Sequence, residues 1–311
     1  MALNKELWLT TIQSQLFKDD SFLNTVGLDH SGYVDNITVH IPQAGSNPTI
    51  SKNLNVFPAN VGTRSDADLT YLVDLYYSQP IRIGVDETQY ISYDKRASVL
   101  NSHMQTMRNV IGNNTLYKWA NAAILAGSQV RTTGTAIGTA LAPSATGTRN
   151  AITYKDITTA AGILDGQNLM PGDDRYLIMP STLYWQLTTD TNISKYLEYG
   201  ASPVVPTGKV PMIAGFKIIS RSSVVVYDNS TEPAVLKTTD SNGNPTSPTT
   251  TDNLACLCVS SSYVSRAIGG IQVYTQNNDP KYYGDIVSTT VAFGANQMRT
   301  NGEGVVAIIQ Q

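Results

Sequence analysis

The segment YISYDKRASVLNSHMQTMRNVIGNNTLYKWANAAILAG (residues 90 to 127) constrains the fold of this 311-residue chain more than any other feature. Its apolar side chains recur every three or four residues, which places them on one face of a helix. The residues of that face are Tyr93, Ala97, Leu100, Met104, Met107 and Ile111. The pattern slips at Gly112-Asn113-Asn114, where we expect a bend or a break. A helix over about 93 to 126 would be about 50 Å long at roughly 1.5 Å per residue, longer than a small domain is wide.

The composition suggests that much of the surface is covered by other subunits. Charged residues make up 14% of the chain, against roughly 25% in ordinary soluble domains. Tyrosine outnumbers phenylalanine by 17 to 5, and a ring that carries a hydroxyl suits subunit contacts. A β-rich extracellular protein is the alternative that this composition leaves open. The net charge of −3 argues against sequence-specific nucleic-acid binding.

No apolar run approaches the eighteen or so residues that a membrane span needs, and the charged first twenty residues do not resemble a signal peptide. We therefore expect synthesis and retention in a cytosol-like compartment. The two cysteines, Cys256 and Cys258, lie two residues apart on a predicted strand, so they share a face and are poorly placed to bridge each other. Because no second Cys/His pair completes a zinc site, they are predicted to be buried thiols.

The N-terminal third of the chain suggests two projecting segments. Residues 4 to 18 have a narrow helical stripe that includes Trp8, Ile12 and Leu16, and such a short terminal helix is expected to dock on a neighbour or on the body of the fold. Strands are predicted near 37 to 41 and near 69 to 73. About 25 residues rich in Gly and Pro separate them, which is long for a connection inside a compact domain and favours a projecting arm.

The remaining chain is predicted to alternate between strands, helices and loops. A strand or strand pair is expected over 80 to 92, a Gly/Thr-rich loop over 127 to 150, and a low-complexity surface loop over 237 to 253. Thr153 and Asp156 form a capping-box pattern at the start of a helix. Strands near 286 to 293 and 305 to 309 are predicted to form a hairpin through Asn301-Gly302.

The sequence predicts no enzyme, cofactor or metal site. Gly172-Asp173-Asp174 resembles a paired-carboxylate metal site, but it follows Pro171 and is also ordinary turn chemistry, which we favour. The three histidines are dispersed, and His103 beside the apolar helix face is expected to be a satisfied packing residue. Asp190 and Glu198 could be a glycosidase pair, although surface carboxylates are the simpler interpretation.

Taken in order, these elements resemble the major capsid proteins of tailed bacteriophages, which share the Hong Kong 97 fold. The resemblance spans nearly the whole chain. It is strongest over RSDADLTYLVDLYYSQPIRIGVDETQYISYDKRASVL (64 to 100) and the closing YGDIV, FGANQMR and GEGVVAI stretches. The implied fold class is α+β, with an N-terminal arm (1–32), an extended hairpin loop (33–79), a peripheral domain (80–150 and 282–311) with the spine helix, and an axial domain (151–281).

The resemblance also implies roles for residues and partners. The assembly arm would carry Leu7, Trp8, Ile12 and Leu16, and the inter-subunit loop would carry Pro48, Lys52, Phe57 and Arg64. The partners would be copies of the same chain, as hexamers and pentamers in a closed shell, together with scaffolding, portal and decoration proteins. Packaged double-stranded DNA would lie nearby without specific contact, and no membrane is involved. The protein would be assembled in the bacterial cytoplasm and reside in the virion.

Two other functions stay open at this point. A tail-tube or decoration subunit is another virion structural protein, but such proteins are typically β-barrels or sandwiches without a spine helix. A polysaccharide-acting enzyme would need acidic side chains that converge in a pocket.

Overall fold

The computed structural model describes residues 21–35, 37–45, 47–55, 57–58, 61–84, 95–125, 127–169, 172–193 and 212–311. The main helices are α1 (Ser21–Thr25), α2 (Lys95–Leu125), α3 (Tyr154–Gly166) and α4 (Ser181–Thr188). The first strands are β1 (Leu28–Asp29), β2 (Val34–Asp35), β3 (Thr38–Gln43), β4 (Ala67–Leu72), β5 (Asp74–Tyr77) and β6 (Ile81–Gly84). Six strands follow in the middle of the chain: β7 (Gln129–Arg131), β8 (Ala136–Thr139), β9 (Thr148–Asn150), β10 (Arg175–Pro180), β11 (Met212–Ile213) and β12 (Phe216–Arg221). The last are β13 (Val225–Asp228), β14 (Val235–Leu236), β15 (Asp252–Ser260), β16 (Val264–Asp279), β17 (Gly284–Gln297) and β18 (Val305–Ile309).

Helix α2 is the long rod that the apolar stripe predicts. Its 31 residues span about 46 Å at roughly 1.5 Å per residue. The helix continues through Gly112-Asn113-Asn114, so the prediction of a break at this position is wrong. The side chain of Asn113 accepts a hydrogen bond from Nη1 of Arg221 at 2.8 Å, and Gly243 approaches so closely that an added Cβ would lie 2.7 Å from the Asn113 Cβ. These tertiary contacts offset the poor helix propensity of the segment.

Two sheets pack against this helix. The five-stranded sheet has the order β1-β16-β17-β5, and β6 pairs with another part of β17. The eight-stranded sheet has the order β11-β12-β10-β15-β13-β14, with β18 on the other edge of β15 and β7 beyond it. Buried residues of α2 and of both sheets form one continuous core.

Trp119 lies in this shared core. It is fully buried, its ring meets Phe22 of α1 edge to face at 6.1 Å, and its Nε1 donates a hydrogen bond to the carbonyl of Ser265 at 3.1 Å. A single side chain of α2 therefore contacts both the α1 segment and β16.

The eight-stranded sheet is covered on both faces. In β15, Leu257 and Val259 face the α2 core, whereas Cys256 and Cys258 pack in a second core with residues of α3 and α4. Burial raises the pKa of both thiols. The prediction of two buried, unbridged cysteines on one strand face is confirmed.

The capping box at α3 is also confirmed. The side chain of Asp156 is almost completely buried and accepts hydrogen bonds from the backbone N–H and hydroxyl of Thr153, each at 2.9 Å. It also accepts from the N–H and the hydroxyl of Thr133. One carboxylate thus starts α3 and fixes the chain that follows β7.

One expectation about strand pairing and one about a loop are wrong. Strands β17 and β18 do not form a hairpin, because β17 pairs with β16 and β18 pairs with β15 and β7. The fully buried strand β18 has partners on both edges, as expected for a continuous apolar run. The stretch 127 to 150 contains strands β7, β8 and β9 and is not a plain loop. The domain bounds stay a prediction, but β16 shares the sheet of β17, and β18 lies in the sheet of β10 and β15.

The segment 237 to 253 is mostly exposed, as expected for a surface loop, and polar contacts anchor its two ends. The side chain of Lys237 is only 10% exposed, and its Nζ lies 3.0 Å from Oδ1 of Asp252 and 3.5 Å from Oδ2 of Asp228. The same Nζ donates to the Ser247 carbonyl at 2.9 Å. A nearly buried ammonium therefore joins the two ends of the loop.

Asp228 makes the free energy of unfolding depend on pH in the acidic range. Hydrogen bonds from Thr251 and Ser230 and the nearby Lys237 lower its pKa from 3.8 to about 2. Because the folded-state pKa is depressed, its contribution is complete above about pH 4 and is lost as the pH falls towards 2. We expect this contribution to be up to about 2 kcal/mol and to be absent in Asp228→Asn. Urea denaturation at pH 4 and pH 2 should show a smaller pH-dependent loss in the variant, and equal losses in both proteins would contradict the assignment.

Candidate functional site

The candidate site is a long hairpin that leaves the body of the protein. Strands β3 and β4 pair in antiparallel register, from Thr38 opposite Leu72 to Gln43 opposite Ala67. One face of this pair is buried through Val39, Ile41 and Tyr71, which form a small core with Val73 and Ala267. The other face is largely exposed and carries the His40 Nδ1 and Asp68 Oδ2 atoms 2.6 Å apart. Buried and exposed side chains thus alternate along β3 and β4, and the buried face packs the root of the hairpin against β16 of the five-stranded sheet.

Beyond the paired strands, a hydrogen bond links the two arms of the hairpin, from the backbone N–H of Gly45 to Oδ1 of Asp66 at 2.8 Å. On the second arm, Nε of Arg64 donates to the same oxygen at 2.6 Å and holds the Asp66 side chain in place. The Gly45 hydrogen bond and Arg64 lower the pKa of Asp66. A Cβ at Gly45 would lie 2.0 Å from the carbonyl oxygen of Ser65, so only glycine permits this approach.

The hairpin tip, defined as residues 47–61, exposes apolar side chains. No described residue between 44 and 66 belongs to a helix or a strand. The exposed fractions are 92% for Ile50, 46% for Leu54, 76% for Phe57 and 88% for Val61. Because exposed apolar area is unfavourable in water, a cluster of this kind is typical of a surface that another molecule covers.

The predicted inter-subunit residues all lie on this hairpin, and all are exposed: Pro48, Lys52, Phe57 and Arg64. The sequence reasoning missed Ile50, Leu54 and Val61. The sequence could have indicated them as contact residues, since they are apolar residues in a Gly- and Pro-rich stretch that has no strand or helix periodicity.

The predicted arm residues, Leu7, Trp8, Ile12 and Leu16, lie outside the described residues. Residues 21 to 29, the later part of the predicted arm, are anchored on the body of the fold. Arg266 of β16 donates from Nη1 to the Val26 carbonyl at 3.0 Å and from Nη2 to the Asn24 carbonyl at 2.9 Å. The segment from α1 to β1 is therefore fixed on the five-stranded sheet.

The stripe predicted for the spine helix faces the core where the structure describes it. Leu100, Met104, Met107 and Ile111 are buried. Leu100 and Met104 pack with Ile83, Val273 and Val287 of the five-stranded sheet. Tyr93 lies outside the described residues, as does the side chain of Ala97.

The carboxylates that suggested chemistry are occupied by structural contacts. Asp173 accepts two hydrogen bonds from Ser262, one from its backbone N–H at 3.1 Å and one from its hydroxyl at 2.7 Å. It also accepts a hydrogen bond from the hydroxyl of Ser260. Asp174 pairs with Nζ of Lys217 at 2.8 Å. In the part of the chain that the structure describes, no three His, Cys, Asp or Glu side chains are grouped to hold a metal ion.

The other candidates for chemistry are also dispersed. Asp190 accepts the backbone N–H of Tyr154 at 2.9 Å, and Glu198 lies outside the described residues. His103 is buried, and burial lowers its pKa. Its Nδ1 has no hydrogen-bond partner among the described residues, so the expectation of a fully satisfied histidine is wrong at this atom.

Comparisons with solved structures identify the fold. The capsid structure of cyanophage P-SCSP1u superposes with a TM-score of 0.68 at 16% identity, covering 94% of this chain and 88% of that one. The chain has the fold of phage capsid proteins. The mature capsid of bacteriophage PhiM1 gives a TM-score of 0.61 at 12% identity, with 94% and 87% of the two chains covered. The capsid of Ralstonia phage GP4 gives 0.58 at 12% identity, with 92% and 87% covered.

These likenesses confirm the predicted α+β capsid fold of the Hong Kong 97 type. No protein-family model matches the sequence, and no curated protein matches it. Among the helices in the described ranges, none combines the length and the apolar character that crossing a bilayer requires.

Proposed function

We propose that this chain is a major capsid protein, which self-assembles into the icosahedral head shell around the double-stranded DNA genome of a tailed phage. The observation that carries the proposal is the apolar hairpin tip on a chain that has a capsid fold over 94% of its length. A tip that is exposed among the described residues of its own subunit gains stability when a neighbouring copy covers it.

The shape of the subunit supports a shell role. The 31-residue helix α2 is backed by two sheets, which makes a stiff body, while the tip of the hairpin is exposed. Each contact between copies can be weak, because every subunit makes many of them and their effects combine. The low charge content fits edges that are covered in the assembly, and the net charge of −3 fits an inner surface to which DNA does not adhere.

Further parts of the proposal follow from the resemblance. Residues 1–32 act as an assembly arm, copies form hexamers and pentamers, and scaffolding, portal and decoration proteins are partners. The shell is assembled in the bacterial cytoplasm and becomes part of the virion. The protein has no catalytic role, and the long helix α2 argues against a tail-tube or decoration subunit.

Electron microscopy of the purified chain tests the proposal, with sedimentation velocity as a second measurement. We expect closed shells of uniform size, and curved sheets or tubes would also support a self-assembling subunit. A particle that stays monomeric at every concentration and salt condition tried would contradict it.

A further inference from the structure

A cavity of about 350 Å³ lies where α2, the segment between β12 and β13, and the loop 237–253 meet. Three of the residues that line it, Leu141, Ser222 and Asn244, are exposed, so the cavity is open to solvent. Its volume falls within the range of small-molecule sites in proteins.

Helix α2 contributes two buried side chains that have unused hydrogen-bond donors. Asn113 and Tyr117 lie four positions apart on one face of the helix, and both line the cavity. They are only 6% and 7% exposed. Oδ1 of Asn113 accepts hydrogen bonds from Nη1 of Arg221 at 2.8 Å and from the hydroxyl of Ser223 at 3.4 Å. The Tyr117 hydroxyl oxygen accepts the N–H of Val226 at 3.2 Å. Among the described residues, neither the Nδ2 group of Asn113 nor the O–H of Tyr117 has an acceptor.

The rest of the cavity wall is mostly apolar, and it includes Leu141, Pro143, Val224, Val226 and Leu254. A donor that faces such a space needs an acceptor, because an unpaired polar group away from water is unfavourable. A water molecule between apolar walls finds few partners for its remaining hydrogen bonds. A molecule with an acceptor at one end and an apolar body would satisfy the donors and the walls together.

The charges around the cavity favour an uncharged molecule. None of the described residues that line it is charged. Arg221, which contacts Asn113, also donates from Nη1 to the Ser223 carbonyl at 3.0 Å. A charged ligand would therefore lose its hydration without meeting an opposite charge in the lining.

We propose that this cavity binds a small uncharged molecule that has a carbonyl or amide oxygen and an apolar body. The oxygen accepts hydrogen bonds from Nδ2 of Asn113 and from the hydroxyl of Tyr117, and the body packs against Val224 and Leu254. This binding activity goes beyond shell formation and does not depend on it. Because α2 and the loop 237–253 both line the cavity, a bound molecule holds them together and stabilises the folded subunit.

Acetophenone and ethylbenzene, titrated separately into the unassembled subunit, test the inference. The two compounds have the same ring and similar size, but only acetophenone has a carbonyl oxygen. Saturation-transfer NMR should give a Kd on the order of 1 mM for acetophenone. Binding of ethylbenzene should be about tenfold weaker, although ethylbenzene is the more apolar compound, and acetophenone should raise the melting temperature more. Equal or tighter binding of ethylbenzene, or no binding of either compound, would overturn the proposal.

Two variants locate the binding. Tyr117→Phe keeps the ring and removes the donor, so it should weaken acetophenone binding about tenfold and leave ethylbenzene binding unchanged. Ser222→Phe, at an exposed position, should fill the cavity and prevent binding of both compounds. Ser102→Phe is its control, because Ser102 is exposed on α2, does not line the cavity and lies roughly 16 Å from Asn113 along the helix axis. Unchanged acetophenone binding by Ser222→Phe would place the compound elsewhere and overturn the inference, whether or not Tyr117→Phe folds.

Discussion

A variant in which the four apolar residues of the hairpin tip are serine is expected to fold normally and to lose shell assembly. The substitutions are Ile50→Ser, Leu54→Ser, Phe57→Ser and Val61→Ser, at side chains that are 46% to 92% exposed. Exposed positions of this kind change the free energy of unfolding by about 0.5 kcal/mol or less each. If a neighbour covers them, their loss removes on the order of 1 kcal/mol each from the contact. A total of about 4 kcal/mol per subunit raises the assembly concentration about a thousandfold.

The matched control changes polar residues of the same tip. Asn47→Ser, Thr49→Ser and Asn55→Ser alter exposed positions of the tip and keep the apolar side chains. Sedimentation velocity should find the control in shells and the apolar variant as a monomer. Circular dichroism should show the same fold for both. Equal assembly by the two variants would mean that apolar contact at the tip does not hold the shell together.

Two local patterns in the sequence correctly predicted the local structure. The stripe with Leu100, Met104 and Ile111 predicted a buried face of a long helix, and Thr153 with Asp156 predicted a capping box. Both depend on residues three or four positions apart, a distance over which the helix itself fixes the geometry. Such features can therefore be predicted without knowledge of the tertiary fold.

Features that depend on distant parts of the chain could not be predicted in this way. Asn113 stays in an unbroken helix with the help of Arg221, which lies 108 residues away. Strand β18 follows a turn at Asn301-Gly302 that is typical of hairpins, yet it pairs with β15 and β7. In both cases tertiary contacts override the local preference.

The candidate site was only partly predictable for the same reason. The spacing of Gly and Pro indicated a projecting segment, and Phe57 was among the residues expected to contact another subunit. The hydrogen bond between Gly45 and Asp66 closes the hairpin across 21 residues, and no sequence periodicity indicates it. Exposure depends on what the rest of the chain fails to cover, so the apolar character of Ile50 and Val61 became informative only in the structure.

Trp119→Ala is expected to be the most destabilising single truncation in the core, at about 3–5 kcal/mol. Trp119 is fully buried where α1, α2 and β16 meet, so its loss leaves a cavity and removes the contact with Phe22. It also leaves the Ser265 carbonyl without its indole donor, which adds to the loss of stability.

Trp185→Ala is the matched control, because Trp185 is 60% exposed and its removal should change the free energy of unfolding by about 0.5 kcal/mol or less. Urea denaturation of the unassembled subunits would measure both values. Similar values for the two variants would contradict a core centred on α2, whereas a large loss confined to Trp119 would support its role in the core that α1, α2 and β16 share.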